Sequence, residues 1–250
     1  YDNQLNCPVA VKVITKPSLP SPHLKAAVQG ELSALTDILH PNICKMLRWT
    51  EDKSSVYIVM AVVSGVTLKQ YSGKLRSTMA VLPLAVREER ARKIFVQIVS
   101  AVSYIHRLGY VHRDLKLSNV MFDPTTWHAT LIDFGFAAKE NEYNKKFCCG
   151  TPAYISPEVL SNTSDYSGKK ADVWALGVIL YILLTGYYPF GTEEDPTLQK
   201  KILKAEFDIP QKFSQELKEV LQACFKLRWQ DRPSAEELMN FSWMAAKPPS

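Results

Sequence analysis

The first sixty residues alternate between strand-like and helix-like hydrophobic patterns. In "PVAVKVIT" an apolar residue recurs at every second position, which predicts a strand that carries Ala10 and Lys12 on one face. The run "VYIVM" predicts a further strand. Between the two, Ser21 followed by Pro22 is typical of a helix start, and "HPNI" is expected to end that helix at about Leu39.

Helical patterns dominate the rest of the chain. In "EERARKIFVQIVSAVSYIHRLG" apolar residues recur at helical intervals, and Gly109 is expected to stop the helix. The apolar positions are Ala91, Ile94, Phe95, Ile98, Val102 and Ile105. "NVMFD" and "ATLIDFG" predict two short strands around the turn "PTTWH". "VWALGVILYILLTG" is shorter than the ~18 residues of a membrane span, so we interpret it as a core helix.

These patterns predict an α+β fold with two unequal parts. We expect a small sheet-rich lobe over residues 1–63 and a larger helical lobe over residues 64–250. The connection between them is expected near Val62 to Gly65. A chain of 250 residues is long enough for this arrangement and for a sizeable core.

Composition narrows the function mainly by exclusion. The net charge of +5 comes from lysines scattered among acids, so we expect no nucleic-acid partner. The five cysteines are odd in number and lack metal-type spacing, which favours a reducing, intracellular compartment, cytoplasmic or nuclear. No charged-then-apolar leader opens the chain, and we expect no membrane partner.

Candidate chemistry is concentrated in "HRDLKLSNVMF" and the residues that follow it. Asp114 lies in a loop between a long helix and a strand, Asn119 is expected to start that strand, and Asp133 is expected to end the next one. A hairpin would bring Asn119 and Asp133 together as hard oxygen ligands, which suit Mg²⁺ held mainly by phosphates and water. With Lys12 meeting those phosphates from the other lobe, the residues fit phosphoryl transfer.

Six segments resemble one known family in order and spacing. They are "VAVK", "HRDLKLSN", "DFG", "GTPAYISPE", "DVWALGVILYILLTGYYPF" and "DRPSAEELMNFSWM". Together they cover essentially the whole chain and are similar to the eukaryotic protein kinase catalytic domain. "GTPAYISPEVL" and "KKILKAEFDIP" look most like the calcium/calmodulin-dependent and AMP-activated kinase group. The resemblance implies a bilobal kinase fold, with ATP and Mg²⁺ as cofactors.

The resemblance also implies catalytic roles for particular residues. Lys12 looks like the lysine that holds the α- and β-phosphates, steadied by an ion pair with Glu31. Asp114 resembles the catalytic base that accepts the proton of the substrate hydroxyl, and Asn119 and Asp133 resemble the two Mg²⁺ ligands.

The type of substrate hydroxyl follows from two further matches. Lys116 resembles the lysine that neutralises charge on the transferred phosphate in serine/threonine kinases. "GTPAY", with Thr151, points the same way. The resemblance therefore implies protein substrates with serine or threonine acceptors. Taken singly, each of these residues would be read as an ordinary surface or turn residue, and only their joint order indicates catalysis.

Other matches imply contacts with the adenine base. Met60 resembles the gatekeeper, and residues 61–63, with Ala61 and Val63 at the ends, resemble the hinge whose backbone bonds adenine. Ala10 and Met121 would lie on the two faces of the base.

Two further matches imply packing roles. His112, Phe134, Leu35 and Met46 look like the apolar column that connects the lobes.

Glu158 and Arg232 resemble the ion pair that anchors the end of the activation segment.

The chain departs from the family pattern upstream of Lys12. The glycine-rich loop that covers the phosphates should precede this lysine, but residues 1–11 contain no glycine. The first strands and this loop are absent from the sequence, and we expect that they were left out of it. The alternative is a pseudokinase that acts as a scaffold or binding module.

The residues just before "GTPAY" bear on regulation. Many relatives carry a phosphorylated threonine that pairs with the arginine before the catalytic aspartate, which is Arg113 here. In this chain the position of that threonine is expected to be Phe147. We therefore expect activity without phosphorylation at that position. The neighbouring Cys148 and Cys149 are expected to be small buried residues rather than a redox element.

Substrate choice and regulators are less defined. Thr67 and Ser118 stand where many relatives that prefer basic substrates have acids, so a strong preference for arginine near the target is not expected. Calmodulin or other regulators cannot be inferred from this chain. Gly30 lies inside the helix that carries Glu31, at a cost of about 1 kcal/mol relative to alanine. We hypothesise from this that the helix is easily displaced.

Overall fold

The computed structural model describes residues 1–4, 6–16, 22–79, 82–141, 150–163 and 165–245, without the side chains of residues 22–27 and 74–79. Ser21, Phe147, Cys148 and Cys149 therefore lie outside the described residues. The expectations for the helix cap and for the activation segment at these positions stay predictions.

Short strands are distributed over the first 139 residues. They are β1 (Val9–Thr15), β2 (Met46–Glu51), β3 (Ser55–Ala61), β4 (Val66–Thr67), β5 (Tyr110–Val111), β6 (Val120–Asp123), β7 (His128–Leu131) and β8 (Ala138–Lys139). They form three small antiparallel sheets in the described residues, with orders β1–β3–β2, β4–β6–β7 and β5–β8.

Helices make up most of the remaining structure. They are α1 (Pro22–Asp37), α2 (Leu68–Met79), α3 (Leu84–Arg107), α4 (Pro157–Leu160), α5 (Gly168–Thr185), α6 (Leu198–Lys204), α7 (Gln215–Cys224), α8 (Ala235–Leu238) and α9 (Ser242–Ala245). Helices together with small antiparallel sheets confirm the predicted α+β class. Within the described part of the chain, no helix is long and apolar enough to cross a membrane.

The sheet β1–β3–β2 presents Lys12 to the site. Strand β3 is central and rich in β-branched residues, which pack well on a pleated surface. Its register sets Lys12 opposite Ile58 and Ala10 opposite Met60. The predicted strands in "PVAVKVIT" and "VYIVM" are confirmed. The helix between them is confirmed too, although it ends at Asp37 rather than at about Leu39.

Helices α3 and α5 supply much of the core. All six apolar positions predicted for α3 are buried, and Gly109 follows the helix end with a φ of 84°. A positive φ of this size favours glycine, which explains the predicted stop. Helix α5 is buried along nearly its whole length, so the interpretation of its apolar run as a core helix is confirmed. Its N-cap Ser167 accepts a hydrogen bond from the Lys170 amide, and Gly186 ends it at a φ of 77°.

The two strands around the turn are confirmed as β6 and β7, but their predicted ends were wrong by one or two residues. Asn119 closes a 3-10 turn, Leu117–Asn119, and does not start β6. Strand β7 ends at Leu131, two residues before Asp133. Strand pairing stops at Val120 and Leu131, and beyond it the Ile132 amide donates to the Asn119 carbonyl at 3.0 Å. The hairpin therefore holds the two loops side by side.

Candidate active site

One cluster of charges joins three distant segments. The Lys12 ammonium, on β1, lies 2.6 Å from Glu31 Oε1 of α1 and 2.9 Å from Asp133 Oδ1, just after β7. Glu31 is only 2% exposed, so its carboxylate needs this partner. The predicted pair of Lys12 with Glu31 is present, and Asp133 joins it.

The electrostatics of this cluster favour the charged forms of Lys12 and Asp133, whereas burial raises the pKa of Glu31 above its usual value. Burial by itself would lower the pKa of Lys12, but Glu31 and Asp133 raise it above its usual value. Burial would likewise raise the pKa of Asp133, but the Lys12 charge and the Gly135 amide hold it below its usual value. A Cβ at Gly135 would lie 3.2 Å from both the Lys12 ammonium and Asp133 Oδ1. Glycine therefore leaves room for the three charges to meet.

A second cluster surrounds the Asp114 carboxylate. Lys116 Nζ lies 2.7 Å from Asp114 Oδ2, and the Asn119 side-chain amide donates to the same oxygen at 3.1 Å. The Thr151 hydroxyl donates to Asp114 Oδ1 at 3.1 Å and accepts from Lys116 at 2.9 Å. Asp114 is buried and is thus held by three side chains, each contributed by the same loop or by the segment after residue 150. Such an arrangement fixes a carboxylate in one orientation.

The backbone that carries Asp114 is strained, and hydrogen bonds to a buried carboxylate hold it in place. Arg113 has a φ of 65°, in the left-handed region that costs a residue with a side chain of order 1–3 kcal/mol. Asp172, on α5, accepts hydrogen bonds from the amides of His112 and Arg113 at 2.8 and 2.9 Å. His106 Nε2 also lies 2.8 Å from Asp172. Burial would raise the pKa of Asp172, but His106 and these amides keep it below its usual value.

Asp172 was missed by the reading of the sequence, although a signal for it exists. It lies at the head of the long apolar run "DVWALGVILYILLTG", where an acid needs a partner because it is buried. Thr151 was noted only for specificity, whereas the structure brings it into direct contact with Asp114.

The predicted packing residues belong to the core or pack against it, or are buried. The rings of His112 and Phe134 are 5.0 Å apart, and both residues are buried. Leu35 and Phe134 belong to the core, and Met46 packs against it. The Arg113 Nε donates to the Phe136 carbonyl at 2.6 Å, which links the Asp114 loop to the segment after Asp133.

Glu158 and Arg232 form a buried ion pair. The Arg232 guanidinium donates through both terminal nitrogens to the two carboxylate oxygens of Glu158, each at 2.6 Å. Arg232 is also close to the Trp174 ring, with its Cζ atom 5.0 Å from the ring centroid. The predicted pairing of Glu158 with Arg232 is therefore present, in the bidentate geometry that arginine favours.

The residues predicted to hold a base lie in two sheets and in the irregular segment after β3. Ala10 and Met60 are cross-strand neighbours in the first sheet, and the half-buried Met121 lies on β6 in the second. The Ala61 amide donates to the Lys45 carbonyl at 3.0 Å, so this amide is already used within the sheet. Val63 is half-buried in the irregular segment after β3.

A groove of about 680 Å³ lies beside the same irregular segment. Residues 61–64, the loop of residues 39–45 and parts of β6 and β7 line it. Its lining in the described residues includes neither Lys12 nor Asp114. The groove is thus separate from the two polar clusters.

Comparison with known proteins now identifies the class of this chain. A family model described as "Protein kinase domain" matches residues 1–244, and the chain belongs to the protein kinase family. The order of its motifs had implied this family, and the match confirms that prediction.

Several relatives are similar over 94% of the chain. It is 36% identical to CBL-interacting protein kinase 10 of Oryza sativa subsp. japonica and 36% identical to CBL-interacting serine/threonine-protein kinase 12 of Arabidopsis thaliana. The maternal embryonic leucine zipper kinase of Xenopus laevis is 35% identical. The chain covers 51%, 47% and 35% of these proteins, respectively. It therefore spans about half the length of the two plant relatives and a smaller share of the Xenopus kinase. The relative from Arabidopsis thaliana is named a serine/threonine-protein kinase, the type that the motifs of this chain had implied.

The donor set of the site fits the cofactors that protein kinases generally use, ATP and Mg²⁺. Asn119 makes both of its described side-chain hydrogen bonds through the amide nitrogen, which leaves the side-chain oxygen for a cation. The Asp133 carboxylate is 40% exposed and can offer an oxygen as well. In the described residues, no group of three His, Cys, Asp or Glu side chains could hold a metal alone. Two oxygen donors suit a Mg²⁺ ion that phosphates and water also bind.

Proposed function

We propose that this chain is the catalytic domain of a kinase that phosphorylates serine and threonine hydroxyls of protein substrates. The observation that carries the proposal is the pair of adjoining polar clusters, one built on Lys12 and the other on Asp114. They are connected by the hairpin that holds the Asn119 loop against the Asp133 loop. A kinase needs a cationic site for phosphates next to a carboxylate for the substrate hydroxyl.

Each residue of the Asp114 cluster has a distinct role in the proposal. Asp114 accepts the proton of the substrate hydroxyl and orients its oxygen for attack. Lys116 neutralises negative charge on the phosphoryl group during transfer. Thr151 holds the side chains of Asp114 and Lys116 in fixed positions relative to each other. Because the transferred group spreads charge over its oxygens, such preorganised cations and orienting groups account for most of the catalysis.

The nucleotide side of the proposal uses the Lys12 cluster. When bound, Mg–ATP supplies the transferable phosphoryl group and neutralises part of its charge. Lys12 would contact the α- and β-phosphates, held in place by Glu31, while Asn119 and Asp133 would hold Mg²⁺. We assign the base to the residues predicted to surround it, namely Ala10, Met60, Ala61, Val63 and Met121.

Organisation and location belong to the same proposal. We infer that residues 1–63 and 64–250 act as two lobes, because Lys12 and Glu31 come from the first and Asp114, Asn119 and Asp133 from the second. The cytoplasmic or nuclear location rests on the free cysteines Cys7, Cys44 and Cys224. No regulator is assigned to this chain.

Transfer of labelled phosphate from ATP to a generic protein substrate tests the proposal. We expect Asp114→Asn to reduce the rate by about 10²–10⁴-fold, because the substrate hydroxyl loses its proton acceptor. The matched control is Asp208→Asn, which neutralises an exposed carboxylate in the large helical part. It should leave the rate unchanged.

Nucleotide binding separates the alternatives. Mg–ATP at 100 times its dissociation constant should stabilise both wild type and Asp114→Asn by about 2.7 kcal/mol. Equal transfer rates for the two proteins would mean that a contaminating kinase is responsible and would overturn the proposal. Stabilisation by Mg–ATP without any transfer by the wild type would instead establish the pseudokinase alternative.

A further inference from the structure

One face of helix α1 rests on the small sheet formed by β5 and β8, here called the β5–β8 ribbon. Gly30, Ala34 and Asp37 recur at helical spacing and so lie on one side of α1. Ala34 is fully buried, as expected for the centre of a contact face. The ribbon itself pairs Tyr110 with Lys139 and Val111 with Ala138.

At one end of this face the helix backbone approaches the chain very closely. A Cβ at Gly30 would lie 2.6 Å from the Ala137 carbonyl oxygen, a distance that real Cβ atoms essentially never show. The glycine is therefore explained by close packing of α1 on the segment leading into β8. The hypothesis that Gly30 serves to make the helix easily displaced is not needed to explain the residue.

At the other end a hydrogen bond joins the helix to β5. The Tyr110 hydroxyl donates to Asp37 Oδ2 at 2.8 Å, and Tyr110 is only 2% exposed. A hydrogen bond from a hydroxyl to a carboxylate is stronger than one between neutral groups. The Tyr110 end of this bond is buried, whereas Asp37 is exposed.

The neighbouring face of the same helix carries the catalytic contact. Glu31, Leu35 and Ile38 follow the same spacing one residue further along, and all three are buried. Glu31 holds Lys12 at 2.6 Å. Because a helix of this length is stiff, holding the Gly30–Asp37 face against the ribbon also determines where Glu31 lies.

We propose that Asp37 and Tyr110 are positioning residues, whose hydrogen bond keeps α1 on the β5–β8 ribbon and so holds Glu31 against Lys12. The proposal rests on the proposed kinase function for its catalytic consequence, but not for its structural one. Neither contact with the ribbon requires a phosphorylated residue. The position of α1 thus depends on contacts within the chain, the close approach at Gly30 and the hydrogen bond of Asp37 with Tyr110.

Amide hydrogen exchange of Glu31 to Asp37 in the nucleotide-free protein tests the structural part. Tyr110→Phe removes the hydroxyl and keeps the ring, and we expect these amides to exchange about tenfold faster. Asp37→Ala should give the same increase, and the double variant should be no worse than either single one, because both remove one interaction. Asp37→Asn keeps an acceptor oxygen and should retain most of the protection.

The matched control is Tyr181→Phe, which removes a hydroxyl that donates to the Asp208 carbonyl at 2.9 Å in the large helical part. It should lower overall stability without changing exchange of α1. Equal effects of Tyr110→Phe and Tyr181→Phe on α1 would overturn the proposal, as would strictly additive effects of Tyr110→Phe and Asp37→Ala.

Steady-state kinetics test the catalytic part. Displacement of Glu31 should raise KM for ATP by about three- to tenfold in Tyr110→Phe, with KM for the protein substrate unchanged. An unchanged KM for ATP alongside faster exchange would show that Asp37 and Tyr110 stabilise α1 without positioning Glu31, and would refute their assignment as positioning residues. Failure of the wild type to transfer phosphate would instead count against the proposed function, since the exchange experiment does not depend on activity.

Discussion

Glu158 and Arg232 illustrate how much a single buried pair can matter. Both residues are buried, and the bidentate contact leaves each charge with a partner. The resemblance to the kinase family was sufficient to pair them from sequence. It could not reveal that Arg232 also donates from Nε to the Lys226 carbonyl, because a backbone acceptor leaves no mark in the sequence.

We expect Glu158→Gln to reduce the free energy of unfolding by about 3–5 kcal/mol, because it leaves the Arg232 charge buried and uncompensated. Urea unfolding checks the value. Asp231→Asn is the matched control, since its pair with Arg228 is exposed and 3.7 Å long. It should cost less than about 1 kcal/mol. Similar losses in the two variants would contradict the prediction.

At the scale of elements, segments with strong hydrophobic periodicity were predicted correctly, and segments with weak periodicity were missed. Helices α3 and α5 were recognised from their apolar repeats, and β1 from its alternation. Strand β2 was missed because its apolar–polar alternation covers only four residues of "MLRWTE", and its side chains are largely exposed in the structure. Helix α2 was missed because "LKQYSGKLRSTM" contains a glycine and few apolar residues.

Gly30 and Gly73, each inside a helix, provide a prediction at this scale. A Cβ at Gly73, in α2, would meet no atom within 4 Å, whereas one at Gly30 would clash with Ala137. Gly73→Ala should therefore stabilise the protein by up to about 1 kcal/mol and leave activity unchanged. Gly30→Ala should lower kcat/KM for ATP, because α1 must shift away from the β5–β8 ribbon and carries Glu31 with it.

Thermal unfolding and phosphate-transfer assays on both variants check this prediction. If Gly30→Ala proved as stable and as active as Gly73→Ala, the close approach of α1 to Ala137 would not be important.

At the scale of the whole molecule, the buried histidine His112 makes stability depend on pH. It is 1% exposed, and burial holds the pKa of its imidazole below the usual value. In the unfolded chain a histidine has a pKa of about 6.5. As pH falls below that value the unfolded state binds the proton first, so the stabilisation present at neutral pH is progressively lost.

We therefore expect the midpoint temperature of thermal unfolding to decrease as the pH is lowered from 7 to 5. Burial raises the pKa of Glu31, which acts in the opposite direction at the acid end of this range. Comparison with His112→Phe isolates the histidine, because this variant keeps a ring against Phe134 and should show a flatter profile even if its stability is lower. Parallel profiles for the two proteins would exclude a contribution from His112.

The α+β class, the family and the identity of the charged residues could all be predicted from the amino-acid sequence. Periodicity follows from local geometry, and the motifs keep their order along the chain. Which of these residues contact one another became known only from the folded structure. In the folded chain Asp133 contacts Lys12, which lies 121 positions away in the sequence. Asp172 accepts a hydrogen bond from the strained backbone at Arg113, and Gly30 packs closely against Ala137. These contacts depend on how whole helices and strands pack against one another, and local sequence patterns do not predict the distances between packed elements.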